Sequence, residues 1–228
     1  MNTTEVIEHE RVAENLDEQR VALAHQLVLE VLDNHIELGR GKRAVVKVIK
    51  DDITRQDYCV KEIFDSSGSE KVNDIEDELK FQDEAVQLGV RSPKPILSLT
   101  TATGKEFMVM ETIKGHSPKD IMEHNIQLPS VYNRDQFWER LQNMLKTLHD
   151  KDIHHRDIHA GNIMMDFESG EPVILDYGCA VHAFGDEDPY REDDVERGKV
   201  THYTHDEDSL RECRLKFSKY PEALTSRG

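Results

Sequence analysis

The sequence predicts an α+β fold of two lobes, because a strand-rich first half is followed by a helix-rich second half. Val- and Ile-rich runs at 35–50 and 57–64 are typical of strands. A chain of 228 residues is long enough for two small lobes that share a cleft. The predicted domains are an N-terminal helical extension, a strand-rich lobe, and a reduced helical lobe with an acidic tail, at 1–35, 36–110 and 111–228.

The N-terminal segment, residues 4–33, has the apolar spacing of one helix face. Its apolar positions follow the helical period at Val12, Leu16, Leu23, Leu27 and Val31. This helix is expected to pack on the main domain, with a partner-binding or coiled helix as the alternative.

The first lobe then continues with strands around one internal helix. The stretch 72–89 has helical spacing at Ile75, Leu79, Ala85 and Leu88, and Gly89 ends it. The stretch "ILSLTTATGKEFMVME" predicts two strands around a Thr-Gly turn. After residue 111, "SPKDIMEHN" and "NRDQFWERLQNMLKTLHDKD" predict helices, and "NIMMDF" and "PVILDYG" predict short strands.

Composition excludes several classes of function. The net charge of −17 disfavours nucleic acid, whose binding depends on Lys and Arg that neutralise phosphates. Three cysteines without a CxxC pair disfavour a disulfide framework and indicate a reducing compartment. The polar start, "MNTTEVIEHE", is unlike a signal peptide, and no apolar run is long enough to span a membrane. A cytoplasmic protein is expected, although delivery into a host cell stays open.

The stretches "IHHRDIHAGNIMMD" and "VILDYG" carry the candidate chemistry. Asp157, Asn162 and Asp176 stand beside apolar, strand-like residues at spacings of 5 and 14. An amide oxygen and a carboxylate, from Asn162 and Asp176, are hard ligands suited to Mg²⁺. Asp157 then remains to orient an attacking hydroxyl or to accept its proton. These are the groups that phosphoryl transfer requires.

The two motifs together resemble the catalytic loop and the metal-binding motif of the protein-kinase-like superfamily. The resemblance covers roughly residues 36–180 and implies an ATP-dependent kinase. The short second lobe is similar in scale to RIO-type atypical kinases and to minimal bacterial kinases. The implied cofactors are ATP and Mg²⁺, with Mn²⁺ as an alternative.

The resemblance implies groups that bind the nucleotide phosphates. "LGRGKRAVVKV" is similar to the RIO-type glycine loop, with Gly39, Gly41, Lys42 and Val46 as contacts and Ala44 in place of the usual third glycine. Lys61, an ammonium among apolar strand residues, needs an anion if it is buried.

A glutamate on the next helix is expected to pair with Lys61. Glu78 holds the position implied by the RIO-type resemblance, with Glu84, Glu76 or no partner as alternatives. The stretch "EFMVMETIKG" resembles a kinase hinge. This resemblance implies Met110 at the back of the pocket, and the backbone of Glu111 and Ile113 against adenine.

Two features depart from the usual kinase pattern. His159 replaces the lysine that protein kinases place two residues after the catalytic aspartate, and "DIHAGN" is closer to small-molecule phosphotransferases. The role of His159 is therefore left open between contact with the substrate and packing within the loop. In addition, only 50 residues follow Gly178, too few for a usual second lobe.

Charged stretches near the C-terminus leave further alternatives. The run 185–198 has two interpretations, a segment in which Asp193 or Asp194 anchors the catalytic loop, or a charged surface run. "THYTHDED" is expected to be a solvated acidic segment, with a metal site at His202, His205 and Asp206 as the alternative.

The predicted function is an ATP- and Mg²⁺-dependent phosphotransferase. The favoured type is an atypical protein serine/threonine kinase. The alternatives are a kinase of small molecules such as aminoglycosides or sugars, and a nucleotide-gated binding module or slow ATPase. The expected partner is a protein substrate of basic character, since the chain is acidic. The N-terminal helix is a candidate docking element.

Overall fold

The computed structural model describes residues 7–14, 16–33, 36–40, 44–50, 57–63, 73–183 and 205–220. Within these ranges the chain has a strand-rich lobe and a helical lobe, so the predicted two-lobed α+β fold is confirmed. Five candidate residues named from the sequence lie outside the described ranges, namely Gly41, Lys42, Asp193, Asp194 and His202.

The first lobe is built from six strands and two helices. The strands are β1 (Ile7–Val12), β2 (Ile36–Arg40), β3 (Ala44–Lys50), β4 (Asp57–Ile63), β5 (Pro95–Thr101) and β6 (Glu106–Glu111). The helices are α1 (Glu18–Asp33) and α2 (Ile75–Gln87). The strands form one antiparallel sheet in the order β1-β5-β6-β4-β3-β2.

The N-terminal segment is not one continuous helix, and the prediction of a helix over 4–33 is wrong at its start. Ile7–Val12 is an edge strand that pairs with β5. The helix begins only after Asp17, whose carboxylate accepts a hydrogen bond from the Arg20 N–H at 2.8 Å. Apolar spacing did not reveal the strand, because pairing with β5 depends on a partner far along the chain.

Helix α1, the part of the predicted segment that is helical, packs on one face of the sheet. Ala24, Leu27 and Val28 are buried against side chains of β4, β5 and β6, among them Tyr58 and Phe107. This is the packing role expected for the helix. Its apolar face is occupied by the sheet, so docking of a partner on α1 stays a prediction that concerns the exposed face, where Leu29 lies.

We expect Leu27→Ala to lower the free energy of unfolding by about 2–5 kcal/mol, because it leaves a cavity between helix and sheet. Leu29→Ala on the same helix should change it by less than about 0.5 kcal/mol, since that side chain is 59% exposed. Equilibrium urea unfolding measures both. Equal losses for the two variants would contradict this packing.

The second helix, α2, packs on the opposite face of the sheet. Ile75 and Leu79 contact Cys59 and Met108, which alternate along their strands with the residues under α1. The helix begins at Asp74, whose carboxylate caps the Asp77 N–H at 2.8 Å, and it ends before Gly89, which has a φ of +80°. The face toward the cleft carries Glu78.

The second lobe contains three described helices and five short strands. The helices are α3 (Pro118–His124), α4 (Arg134–His149) and α5 (Asp206–Ser218). The strands are β7 (Gly115–His116), β8 (Ile153–His154), β9 (Ile163–Asp166), β10 (Pro172–Ile174) and β11 (Val181–His182). Strands β7, β9 and β10 form a small sheet, and β8 pairs with β11. Two polar loops leave these strands, at 155–162 and 175–180, and both face the cleft beneath Lys61.

The C-terminal part of this lobe differs from the predicted acidic tail. Its described residues form α5, which buries Leu210, Cys213 and Phe217 in the core shared with Trp138 of α4. The acidic residues Asp206, Glu207 and Asp208 occupy the first turn, where the helix dipole favours negative charge. These acidic residues, which the sequence assigned to a tail, therefore lie at the start of a packed helix.

Candidate active site

Lys61 lies at the centre of the cleft between the lobes. It is 4% exposed, and its Nζ donates to Glu78 Oε1 at 2.5 Å and to Asp176 Oδ1 at 3.0 Å. The two partners come from α2 and from the loop after β10. A buried ammonium is tolerated because two carboxylates compensate its charge. Lys61 therefore joins the first lobe to the second.

The structure distinguishes between the two main glutamate candidates. Glu78 is 1% exposed and faces Lys61, whereas the Glu84 carboxylate lies 3.0 Å from His182 Nε2. Six residues along a helix correspond to a rotation of about 240°, so the two side chains point in different directions. Only Glu78 reaches the cleft.

The loop 155–162 brings Asp157 and Asn162 together. The Asn162 amide nitrogen donates to the Asp157 backbone carbonyl and to its carboxylate, both at 2.9 Å. With its nitrogen occupied on this side, Asn162 presents its Oδ1 atom as an acceptor. The five-residue spacing read from the sequence thus corresponds to one closed loop.

The carboxylates of Asp157 and Asp176 lie close enough to influence each other. Partial burial raises the pKa of Asp157 above its ordinary value, and the charge of Asp176 adds to this shift. His159, His155 and the Asn162 hydrogen bond act in the opposite direction. An excess of negative charge therefore faces the cleft between the two loops.

The donor set fits a divalent cation. Asp176 offers a carboxylate that is 35% exposed, and Asn162 offers an amide oxygen on the neighbouring loop, where its backbone carbonyl accepts from the Leu175 N–H at 2.9 Å. Oxygen ligands of this kind suit Mg²⁺, and a cation would relieve the repulsion between the carboxylates.

A buried carboxylate, Asp206 at the start of α5, anchors the loop 155–162. Asp206 is fully buried and accepts from the backbone N–H groups of His155 at 2.9 Å and Arg156 at 2.7 Å. His149 Nε2 lies 3.0 Å from the same carboxylate. The expectation of a solvated acidic segment is therefore wrong for this residue.

The anchored loop holds Arg156 in an uncommon backbone conformation. Arg156 has a φ of +64° and Asp176 has a φ of +62°. Both lie in the left-handed region, which is energetically unfavourable for residues other than glycine. The Arg156 guanidinium is buried and donates from Nε to the Cys179 carbonyl at 2.7 Å. Such conformations persist only where surrounding contacts impose them, here at both loops of the site.

The loop that carries Asp176 is held from two sides. Asn73, just before α2, donates from Nδ2 to the carbonyls of Tyr177 at 3.1 Å and Ala180 at 2.8 Å. The buried Tyr177 hydroxyl shares a hydrogen bond of 2.8 Å with Ser92 Oγ. Asn73 and Ser92 could not be identified from the sequence, because common polar residues give no signal until their partners are known.

The structure describes the predicted nucleotide contacts only in part. Gly39 on β2 pairs in register with Val46 on β3, and the Val46 side chain packs against the apolar cluster that includes Met110. Met110 is 8% exposed at the end of β6. Glu111 follows it, and its N–H donates to the Lys94 carbonyl at 2.9 Å. Ile113 is half-buried beyond the strand. The adenine contacts therefore stay predictions.

The two-lobed fold and this cleft, with Lys61 between two carboxylates above an Asp-Asn loop, define the class of protein-kinase-like domains. The model of the protein kinase domain family matches residues 32–201. This is most of the chain, and the chain belongs to that family.

A curated relative agrees with this membership. The chain is 26% identical over 157 residues to mitogen-activated protein kinase kinase 2 of Arabidopsis thaliana. The match covers 68% of this chain and 42% of the relative, so the chain spans less than half of the relative's length. The narrower resemblance to RIO-type and minimal bacterial kinases stays a prediction.

No helix in the described ranges has the length and apolar character needed to cross a membrane.

Proposed function

We propose that this chain transfers the γ-phosphate of ATP to a serine or threonine hydroxyl of a protein. The observation that carries the proposal is the position of Lys61, buried between Glu78 and Asp176. Lys61 has no solvent to stabilise its charge, and the geometry suits a cation that holds nucleotide phosphates above the second lobe.

In the proposed reaction, the acceptor oxygen bonds to the γ-phosphorus. The bond from that phosphorus to the bridging oxygen breaks, and its electron pair leaves with ADP. Asp157 orients the acceptor hydroxyl and takes its proton, a role suited to a carboxylate whose pKa is raised by partial burial. The Asn162 hydrogen bond fixes the direction of the Asp157 carboxylate.

Asn162 and Asp176 would hold Mg²⁺, which neutralises negative charge on the phosphates. Lys61 would orient the phosphates, and Glu78 would keep Lys61 in place. The glycine loop residues Gly39, Gly41, Lys42 and Val46 would cover the phosphates. Met110 would border adenine, with Glu111 and Ile113 pairing through their backbone.

A protein acceptor is supported by the family and by the name of the plant relative, which describes a kinase of a protein kinase. The net charge of −17 favours a basic substrate, since opposite charge speeds association. One observation favours a small-molecule acceptor instead: His159 stands in place of the usual lysine and is half exposed beside Asp157.

The proposal is tested by transfer of labelled γ-phosphate in the presence of Mg²⁺. The acceptors are a generic basic protein, an aminoglycoside mixture and a sugar mixture. Label on serine or threonine of the protein supports the proposal. Label only in the small-molecule fractions supports the second candidate. ATP binding with no transfer to any acceptor contradicts both and favours the nucleotide-gated module.

Two glutamates on the same helix provide a matched pair for this assay. Glu78→Gln should lower the rate of transfer by about 10²-fold, because misplacing Lys61 by an ångström is enough for such a loss. Glu84→Gln should stay within about 2-fold, because Glu84 is partly exposed and pairs with His182 away from Lys61. Equal losses would contradict the assigned role of Glu78.

A further inference from the structure

An ion pair connects the N-terminal helix α1 to the last residue of β6. Arg20, in the first turn of α1, donates from Nη2 to Glu111 Oε1 at 2.8 Å, across 91 positions of sequence. The two side chains are only 29% and 26% exposed, so solvent screens this pair less than pairs at the open surface. A charge-assisted hydrogen bond therefore holds the end of the strand against the helix.

The alternation of side chains along β6 directs Glu111 toward α1. Phe107 and Val109 are buried in the apolar cluster under α1. Met110, between Val109 and Glu111, belongs to the cluster on the opposite face of the sheet. Because successive side chains of a strand point to opposite faces, Glu111 lies on the α1 side. Arg20 meets it at the point where the chain leaves the sheet.

The backbone that follows β6 is also bonded to neighbouring segments. The Glu111 N–H donates to the Lys94 carbonyl at 2.9 Å, and the Thr112 N–H donates to the Asp57 carbonyl at 3.3 Å. Thr112 Oγ1 lies 3.2 Å from Cys59 Sγ. Two segments of the first lobe thus hold this backbone, and the Arg20 side chain adds α1 as a third support.

This third support comes from a part of the chain that the family match scarcely covers. The match begins at residue 32, whereas α1 is Glu18–Asp33. The segment 111–113 carries the predicted backbone contacts to adenine. The ion pair therefore connects a helix that precedes the matched region with the predicted adenine site.

We propose that Arg20 is a positioning residue for nucleotide binding. Through the side chain of Glu111 it keeps the backbone of 111–113 in the conformation that pairs with adenine. The inference rests on the proposed function, because it concerns the same nucleotide site. Arg20 acts through Glu111 and not by contact with the nucleotide. Its effect therefore belongs to the adenine end of the site and not to the phosphates or the transfer step.

Three substitutions separate this role from a general effect of an N-terminal charge. Arg20→Met keeps most of the aliphatic stem and removes the guanidinium. Arg20→Lys keeps a cation that can donate one hydrogen bond to Glu111. Arg11→Met is the matched control, because Arg11 Nη1 lies 3.4 Å from Glu76 Oε1 in an exposed pair at the start of α2. Urea unfolding verifies the fold of each variant.

Competition against a fluorescent ADP analogue, with Mg²⁺ present, measures the affinities for adenosine, ATP and inorganic tripolyphosphate. Arg20→Met should weaken binding of adenosine and ATP by about 3–10-fold, the order expected for one partly buried ion pair. Tripolyphosphate has no base, so its affinity should stay within about 2-fold. Arg20→Lys and Arg11→Met should stay within about 2-fold of wild type for all three.

Steady-state kinetics and a double-mutant cycle test the path of the effect. In Arg20→Met the KM for ATP should rise by the same factor, with kcat within about 2-fold of wild type. Added to Glu111→Gln, the change Arg20→Met should weaken adenosine binding by no more than about 2-fold further, because residues that act as a pair are not additive.

Unchanged adenosine affinity in Arg20→Met would overturn the proposal. Equal weakening of adenosine and tripolyphosphate would also overturn it, since that result indicates general loosening of the lobe. A full effect of Arg20→Met in the Glu111→Gln background would exclude action through Glu111. Wild type that binds neither adenosine nor ATP would instead contradict the proposed function. The binding assay needs no acceptor, so the two failures are distinguishable.

Discussion

Asp157→Asn is expected to lower the rate of phosphotransfer by about 10²–10⁴-fold and to leave ATP binding within a few-fold. Asparagine keeps an oxygen that can accept from Asn162 Nδ2, so the loop geometry survives. It cannot take a proton from the acceptor hydroxyl. The loss should therefore appear in kcat with little change in KM for ATP, as measured by steady-state kinetics.

Asp150→Asn is the matched control for this change. Asp150 lies just after α4 and is 61% exposed. It forms an ion pair with Lys146 in the last turn of that helix. Its substitution should leave kcat unchanged within about 2-fold. If Asp157→Asn kept transfer within a few-fold of wild type, Asp157 would not be the residue that orients and deprotonates the acceptor.

The second large effect is expected for Asp206→Asn, which should reduce both stability and transfer. The carboxylate accepts hydrogen bonds from the N–H groups of His155 and Arg156 and contacts His149, and the amide nitrogen of asparagine cannot accept. Hydrogen bonds to charged groups contribute about 1.5–3 kcal/mol each, so we expect a loss of ~3 kcal/mol in the free energy of unfolding. Because Arg156 precedes Asp157, release of the strained loop should also lower kcat by at least about 10²-fold.

Asp208→Asn in the same helical turn is the control, since Asp208 is 64% exposed and pairs only with Arg211 among the contacts described. Its unfolding free energy should change by less than about 0.5 kcal/mol. Urea unfolding measures both variants. A loss for Asp206→Asn no larger than for Asp208→Asn would show that the loop does not depend on this anchor.

The stabilisation by Asp206 should depend on pH in a defined direction. Burial alone would raise the pKa of Asp206, but the hydrogen bond with His149, the charge of His155 and the His155 N–H outweigh it and lower the pKa below 3.8. A lowered pKa in the folded state means that the stabilisation is complete above 3.8 and is lost as pH falls toward the folded value. The difference between wild type and Asp206→Asn should therefore shrink on acidification below that pH.

Local chemistry explains why much of the site could be predicted from the sequence. Asp157 and Asn162 belong to one short loop, so their five-residue spacing already placed them together. Lys61 was identifiable because an ammonium in a run of apolar strand residues needs a buried anion. These inferences required only residue types, spacing and a resemblance between motifs.

The choice between Glu78 and Glu84 needed the packing of α2. Both lie on the same helix, and helical spacing indicates which residues share a face but not what that face contacts. The apolar residues Ile75 and Leu79 set the rotation of the helix against the sheet, and this rotation turns Glu78 toward Lys61. Glu84 is turned toward His182 of the second lobe.

The sequence by itself determined the order of a strand-rich and a helical lobe and the Asp-Asn loop, because each is encoded by residues close together in the chain. The tertiary structure alone decided that Ile7–Val12 is a strand and that Asp206 anchors a loop 50 residues before it. Both depend on partners that are distant in sequence. Burial converts such a partner into a strong constraint, since a buried carboxylate must be satisfied by whichever N–H groups the fold brings to it.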